Sequence, residues 1–200
     1  MAIALTDFSG FCGFRPLKEI TNFLDTVPEF KEVVGSSQAE AFSKAVSSVS
    51  SDSVLSRNAK SVKSSPSEEV SQLQKALREL FAALMNAEPE QKVKPQVQAL
   101  VARFKKETGK QESKDLEMGT MEELVLRLNE QFPDDVGIFC AFLLNVVSLS
   151  PGQAVFLEAN EPHAYLSGRE FHKFTFCMRN LTSSQKSWNA WLLQVCCGTS

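Results

Sequence analysis

The sequence predicts an α+β fold in which a helical block is inserted between two pieces of β structure. Three observations support this: an extended apolar segment at residues 1–13, amphipathic helical stripes over residues 14–132, and a return to a strand pattern at Leu144–Leu149. A single strand cannot satisfy its own backbone edges, so the first segment is expected to pair with the later strands. The predicted order is therefore strand, helices, strands.

The first helices are marked by prolines and by apolar residues at helical spacing. Pro16 suits the first turn of a helix, and Pro28 is expected to end it. Apolar residues recur between them at helical spacing: Ile20, Phe23, Leu24 and Val27. A second helix is predicted over roughly residues 38–46.

Further helices follow a serine-rich segment. Residues 47–67 contain ten serines and few apolar side chains, which predicts a flexible linker because so little surface could be buried. The sequence Ser65-Pro66-Ser67-Glu68 matches a capping box that would start the next helix. Pro95 is expected to start another helix, and Thr120 with Glu123 forms a second capping box before the last one.

Composition and charge exclude two classes of partner. A net charge of −3 offers no dominant positive face for nucleic acid. The longest apolar run, residues 136–149, is shorter than a membrane span. Five scattered cysteines and an N-terminus without a signal pattern favour free thiols in a reducing compartment, so we expect a cytoplasmic protein with neither nucleic-acid nor membrane partners.

The stretch Leu157–Gly168 carries the chemically distinctive residues. His163 and Tyr165 are two apart, so in a strand both side chains point to the same face, and Pro162 restricts the backbone just before them. A histidine in an apolar strand is more often a hydrogen-bonded core residue than a ligand. Spacing alone therefore leaves two interpretations open, a core pair or two groups facing a cavity.

Three segments of the sequence resemble the type I mannose-6-phosphate isomerase family. They are Met1-Ala-Ile-Ala-Leu-Thr-Asp-Phe8, Cys12-Gly-Phe-Arg-Pro-Leu-Lys-Glu-Ile20, and Pro151-Gly-Gln-Ala-Val-Phe-Leu-Glu-Ala-Asn-Glu-Pro-His-Ala-Tyr-Leu-Ser-Gly168. The resemblance covers residues 1–168 and implies two cupin-like β-barrel domains with a helical domain inserted, both barrels being incomplete here.

On this resemblance the chain divides into four parts. Residues 1–13 are expected to be the last strand of the first cupin-like domain, and residues 14–135 the inserted helical domain. Residues 136–168 would begin the second cupin-like domain. Residues 169–200 form a tail that does not match the family.

The resemblance also implies a reaction and a metal. The family interconverts mannose 6-phosphate and fructose 6-phosphate, which supplies GDP-mannose synthesis and glycosylation, and it binds one zinc through a Gln, two His and a Glu. By residue-by-residue correspondence, His163 is one zinc ligand and Tyr165 is a substrate-side residue. The motifs that carry the other three ligands and the family's catalytic Arg do not occur in this sequence, so no catalytic residue is assigned.

Two functions follow from this partial correspondence. The first is a fragment of a zinc-dependent aldose–ketose isomerase acting on a hexose 6-phosphate and inactive by itself, because one ligand out of four does not hold zinc. The alternative is a non-catalytic helical binding module, for which a full-length isomerase is a candidate partner.

Overall fold

The computed structural model describes residues 2–48, 68–110, 112–117, 119–156, 162–168 and 170–172. The chain divides into two compact units. One combines Met1–Arg15 with Leu144–Ser200 and contains the strands; the other, Pro16–Leu143, contains the helices. The mixed helix-and-sheet class predicted from the sequence is confirmed, and the helical unit lies between the two halves of the strand unit along the chain.

The strand unit contains two small antiparallel sheets. Its strands are β1 (Ala2–Ala4), β2 (Phe8–Phe14), β3 (Leu144–Leu149), β4 (Ala154–Val155), β5 (His163–Ser167) and β6 (Glu170–His172). One three-stranded sheet has the order β4-β1-β6 and the other the order β3-β2-β5. The residues before the helical unit therefore pair with residues after it, as expected.

The first segment is two strands rather than one. A bend at residues 5–7 separates β1 from β2, and the two strands join different sheets. Leu5 is 57% exposed at this bend, although its apolar character suggests a continuous buried strand. The prediction of one extended segment over residues 1–13 was wrong because apolar alternation does not reveal where a strand leaves its sheet.

The turn between β3 and β4, at residues 150–153, is of type II. The Gln153 amide donates to the Ser150 carbonyl at 3.0 Å, and Gly152 adopts a φ of 88°. A positive φ at the third residue of a turn is characteristic of type II and favours glycine there. Residues 157–161 lie outside the described part of the chain.

Six α-helices are described in the helical unit. Their bounds are α1 (Leu17–Thr26), α2 (Pro28–Val34), α3 (Ser36–Ser48), α4 (Glu68–Met85), α5 (Lys94–Thr108) and α6 (Met121–Gln131). Ser47 and Ser48 belong to α3, whereas the sequence predicted a linker from residue 47. The rest of that segment, including the predicted cap at Ser65, lies outside the described residues.

Two prolines act differently from the simplest expectation. Pro28 not only follows α1 but is the first residue of α2, where its missing N–H costs nothing. Ahead of Pro95 the chain forms a π-helical turn, Pro89–Val93, and the Lys94 amide donates to the Pro89 carbonyl. Pro95 has no N–H to donate to the carbonyl four residues earlier. The turn before it is therefore a π-helical turn, with hydrogen bonds that span five residues, which the sequence did not predict.

The second capping box is present in part. The Glu123 amide donates to Thr120 Oγ1 at 3.2 Å, as predicted. The Glu123 carboxylate, however, accepts from the Gly119 amide at 3.4 Å and from Arg127 Nε at 2.7 Å instead of the Thr120 amide. Thr120 therefore caps the start of α6, while the Glu123 side chain bonds α6 to the turn at Gly119.

A short 3-10 helix, Val136–Phe142, completes the helical unit. Asp135 caps it by accepting from the Gly137 amide at 2.6 Å, and residues 137–142 are buried. Phe139 and Phe142 pack near Phe30, with ring centroids 6.3 Å and 5.5 Å from it. Residues 136–142 thus form a helical turn that packs within the helical unit, and the strand pattern begins at Leu144.

Candidate functional site

The candidate site is the face of the β3-β2-β5 sheet that carries His163 and Tyr165. The register pairs His163 with Cys12 and Tyr165 with Gly10 across strands β5 and β2. Directly paired residues share a face of an antiparallel sheet. The imidazole and phenol rings therefore lie side by side, with centroids 6.0 Å apart and planes inclined by 52°.

A neighbouring aromatic ring and a glycine hold Tyr165 in place. The Phe8 ring meets the Tyr165 ring edge-on, with centroids 5.5 Å apart. A Cβ atom on Gly10 would lie 2.9 Å from the Ala164 carbonyl oxygen and 3.0 Å from the Phe8 ring. The absence of a side chain at Gly10 thus allows Phe8 to reach the tyrosine, which fixes one side of the site.

The two faces of this sheet differ in exposure. On the opposite face Phe11, Ala164 and Leu166 are buried. His163 and Tyr165 are each partly exposed. Solvent or a ligand can therefore reach His163 and Tyr165, whereas Phe8 and Gly10 on the same face are buried.

The donor atoms available at this face do not complete a zinc site. Cys12 lies opposite His163 and carries a reduced thiol, so two potential donors face each other. Within the described ranges, no group of three or more His, Cys, Asp or Glu side chains is placed to hold a metal ion. Zinc sites in proteins need at least three protein ligands. The described residues of this chain therefore do not fit a zinc ion by themselves.

The position of Cys12 opposite His163 was missed from the sequence. Phe8, Gly10 and Cys12 alternate and therefore share a face, and this alternation was the available signal. Using it would have required the pairing register between β2 and β5, which are separated along the chain by the whole helical unit. The other described cysteine, Cys140, is buried, and burial raises the pKa of its thiol far above the ordinary value.

The helical unit carries a groove without comparable chemistry. It has a volume of about 300 Å³ and lies between α1, α2 and α3. Two lysines and two acids line it: Lys31, Lys44, Asp25 and Glu40. The lining therefore carries equal numbers of positive and negative side chains. Across the described residues, no helix has the length and apolar character to cross a membrane.

The fold and the site together define an α+β protein with a helical domain inserted into a β scaffold. A family model, phosphomannose isomerase type I, helical insertion domain, matches residues 33–144, which is more than half of the chain. The chain belongs to the type I phosphomannose isomerase family.

Known relatives match most of the chain. The mannose-6-phosphate isomerase of Saccharomyces cerevisiae is 41% identical over 169 residues, covering 84% of this chain and 35% of the relative. That of Rattus norvegicus is 39% identical over 168 residues, covering 84% and 34%. This chain therefore spans about a third of the length of the relatives it matches.

A solved structure is also similar. The mannose 6-phosphate isomerase of Salmonella typhimurium, bound to its substrate and to zinc, is 27% identical and covers 84% of this chain and 32% of that one, with a TM-score of 0.48. Because this score is below 0.5, the family assignment rests on the sequence matches.

Proposed function

We propose that this chain forms part of a zinc-dependent mannose-6-phosphate isomerase, with His163 as a zinc ligand and Tyr165 as a substrate-side residue. The observation that carries the proposal is the shared, partly exposed face on which both rings lie, with centroids 6.0 Å apart. The reaction would interconvert mannose 6-phosphate and fructose 6-phosphate and so supply GDP-mannose synthesis. The names of the relatives from yeast and rat support this substrate class.

The two side chains would have different tasks. An imidazole nitrogen is a good zinc donor, and the neighbouring phenol can donate a hydrogen bond to a sugar oxygen or accept one from it. Zinc, where bound, would stabilise the negative charge that develops on the sugar oxygens. The described residues hold too few donors for the ion, so the chemistry assigned to this chain is limited to presenting one ligand and orienting the sugar.

The scaffold would be the inserted helical domain with the adjoining strands of two cupin-like barrels. The β3-β2-β5 sheet has β3 and β5 at its edges, and further strands could extend it there. We place residues 1–13 in the first barrel and 14–135 in the helical domain. The second barrel would begin after these, up to residue 168. The unit boundaries at Arg15 and Leu143 support a division near these positions.

We further propose that the 200-residue chain is inactive by itself. His163 is the one family zinc ligand whose position falls within this sequence, and a single donor does not retain the ion. A coupled isomerase assay and a zinc measurement on the same purified sample test this. We expect no turnover and far less than one zinc per chain, whereas robust turnover with about one zinc per chain would refute it.

The residue roles are tested in a complete enzyme. Residues 1–168 of this chain would replace the matching segment of the Saccharomyces cerevisiae relative, and zinc content, KM and kcat would be measured. We expect His163→Gln to lose zinc and activity together. Tyr165→Phe is the matched control on the same strand face, and it should keep zinc while raising KM. A zinc-replete, active His163→Gln enzyme would exclude the ligand role.

The alternative function is a non-catalytic helical binding module. The observation in its favour is that Pro16–Leu143 forms a compact unit with its own buried core. The candidate partner is a full-length isomerase, and light scattering of the chain mixed with the yeast relative tests it. A mixed complex would favour the module, and two separate species would count against it.

A further inference from the structure

The strand that faces His163 contains a β-bulge. Strand β2 pairs Phe11 with Val146 and next Phe14 with Leu144, so three steps along β2 correspond to two along β3. Within this irregular stretch Gly13 adopts a φ of 66°. A left-handed glycine is a common way to accommodate the extra residue of a bulge, and bulges redirect the side chains beside them.

Asn145 holds this bulge from the neighbouring strand. Its Nδ2 donates to the Phe14 carbonyl oxygen at 2.7 Å and to the Cys12 carbonyl oxygen at 3.3 Å. The amide group has two hydrogens and can serve both acceptors at once. One side chain of β3 thus ties together the two carbonyls that flank Gly13.

The bulge is in turn bonded to the strand that carries the histidine. The Gly13 amide donates to the Pro162 carbonyl oxygen at 2.9 Å, directly before the Cys12–His163 pair. Pro162 has no N–H to donate in return, and its ring restricts its φ. The Gly13–Pro162 hydrogen bond therefore fixes the backbone at the point where the chain enters His163.

We propose that Asn145 is a positioning residue for His163. Its side chain fixes the bulge, the bulge directs the Gly13 amide at Pro162, and Pro162 sets the position of the imidazole beside Tyr165. The importance of that position rests on the proposed function, in which His163 binds zinc. Functional groups must be held to within about 0.5 Å of their productive geometry, and supporting hydrogen bonds provide that precision.

The isosteric variant Asn145→Asp tests this in the full 200-residue chain without metal. It removes both N–H donors and places a carboxylate beside the two carbonyls. We expect amide hydrogen exchange at Gly13 to accelerate about tenfold, the equivalent of losing one or two hydrogen bonds. The nuclear Overhauser effect between the His163 and Tyr165 rings should weaken about twofold, since a displacement of about 1 Å acts through the sixth power of distance.

The control makes the same chemical change elsewhere. Asn86 lies in the helical unit and donates from Nδ2 to the Ala82 carbonyl oxygen at 2.9 Å. Asn86→Asp should leave both the Gly13 exchange and the His163–Tyr165 signal unchanged. The urea midpoint at which the β3-β2-β5 sheet is lost is recorded for both variants. A change in the ring signal with an unchanged midpoint separates positioning from a general loss of stability.

Two further measurements keep the proposal testable if Asn145→Asp does not fold. In the wild-type chain, a scalar coupling should be detected across the hydrogen bond from the Gly13 amide to the Pro162 carbonyl. Gly13→Ala disturbs the bulge from the other strand, because its φ is unfavourable for alanine, and it should displace His163 in the same way.

The results separate this proposal from the isomerase function. Unchanged Gly13 exchange and an unchanged ring signal in Asn145→Asp would overturn the positioning role, as would an absent coupling in the wild type. None of these measurements uses zinc or turnover. If His163→Gln retains zinc in the hybrid yeast enzyme while Asn145→Asp still moves His163, the proposed function fails and the positioning role stands.

Discussion

Replacing Arg103 should reverse the contribution that Glu29 makes to the pH dependence of the stability of the helical unit. Arg103 on α5 binds the carboxylate of Glu29 on α2 through two hydrogen bonds, Nε to Oε1 at 2.8 Å and Nη2 to Oε2 at 2.7 Å. The Glu29 side chain is only 9% exposed, and that of Arg103 is 29% exposed. The pair is therefore a bidentate ion pair at the edge of the helical core.

The direction of the wild-type pH effect follows from the pKa of Glu29. Burial raises this pKa, but the hydrogen bond and charge of Arg103, together with a backbone hydrogen bond, outweigh burial and lower it below the ordinary value. A carboxyl whose pKa is lower in the folded than in the unfolded state contributes stability above its unfolded pKa. That contribution is lost as the pH falls through the folded pKa.

Arg103→Met removes the partner and leaves burial as the dominant influence on Glu29. Removing one member of a buried pair costs about 3–5 kcal/mol, and partial exposure of Arg103 should reduce this to about 2 kcal/mol near neutral pH. The pKa of Glu29 should then lie above its unfolded value. In this variant, the contribution of Glu29 to the unfolding free energy should rise as the pH falls from about 7 to about 4.

Urea unfolding at a series of pH values, followed by far-ultraviolet circular dichroism, measures this. Glu29→Gln combined with Arg103→Met should remove the reversed slope, because no titrating group remains at the pair. Lys94→Met is the control on the same helix: it breaks an exposed pair with Glu90 and should leave the midpoint and the slope unchanged. A wild-type pH slope in Arg103→Met would refute the reasoning.

Two further predictions concern the strand unit and the cysteines. Gly168→Ala should destabilise the β2–β5 sheet by about 2 kcal/mol, because φ is 102° and the new Cβ would lie 2.7 Å from the Phe8 Cα. Gly152→Ala is the control: its φ is 88°, but no atom lies within 4 Å of the new Cβ, so it should cost only about 1 kcal/mol. If the two variants change hydrogen exchange of the sheet amides equally, the predicted clash at Gly168 is wrong. At neutral pH iodoacetamide should label Cys12 but not Cys140, because burial keeps the Cys140 thiol protonated. Peptide mapping would refute this prediction if it found Cys140 modified first.

The helical part was predictable wherever a stripe of apolar residues had a clear boundary. The stripe of α5 and its end at Gly109, which has a φ of 67°, follow from helical spacing and from the need for a left-handed residue after the helix. Proline gave a weaker signal. Pro28 marks both the end of α1 and the start of α2, because proline disrupts the helix it follows yet fits the first turn of the next.

The end of the helical unit could not be predicted from pattern. Residues 136–149 form one apolar run in the sequence, but the structure divides them into the 3-10 helix Val136–Phe142 and the strand Leu144–Leu149. Every residue from 137 to 142 is buried, so no alternation of polar and apolar side chains distinguishes helix from strand there. The Asp135 cap, a local contact, starts the helical turn.

The candidate site was predictable on one strand but not between strands. Alternation alone places His163 and Tyr165 on one face of β5. Which side chain lies opposite His163 depends on the register between β2 and β5. A shift of β2 by one residue would replace Cys12 with Phe11 or Gly13, which belong to the opposite face of β2 in the observed register. The Gly13 bulge and the Asn145 hydrogen bonds contribute to that register, and neither has a signature in the sequence around His163.

The position of the helical unit in the chain makes the site depend on it for assembly. Phe14 ends β2 and pairs with Leu144, so this pair closes a loop that contains the whole helical unit. When the helical unit is folded, it holds the two ends of this loop close together. When it is unfolded, each pairing between β2 and the later strands must also close a long flexible loop, which costs conformational entropy. Weakening the Glu29–Arg103 pair should therefore lower the urea concentration at which the Cys12–His163 pairing is lost. The ion pair joins two helices and the pairing joins two strands, so this effect would act through the loop. Because β2 and β5 pair across a loop that contains the helical unit, we expect the sheet amides to gain protection later than those of α5 during refolding, which pulsed hydrogen exchange would detect.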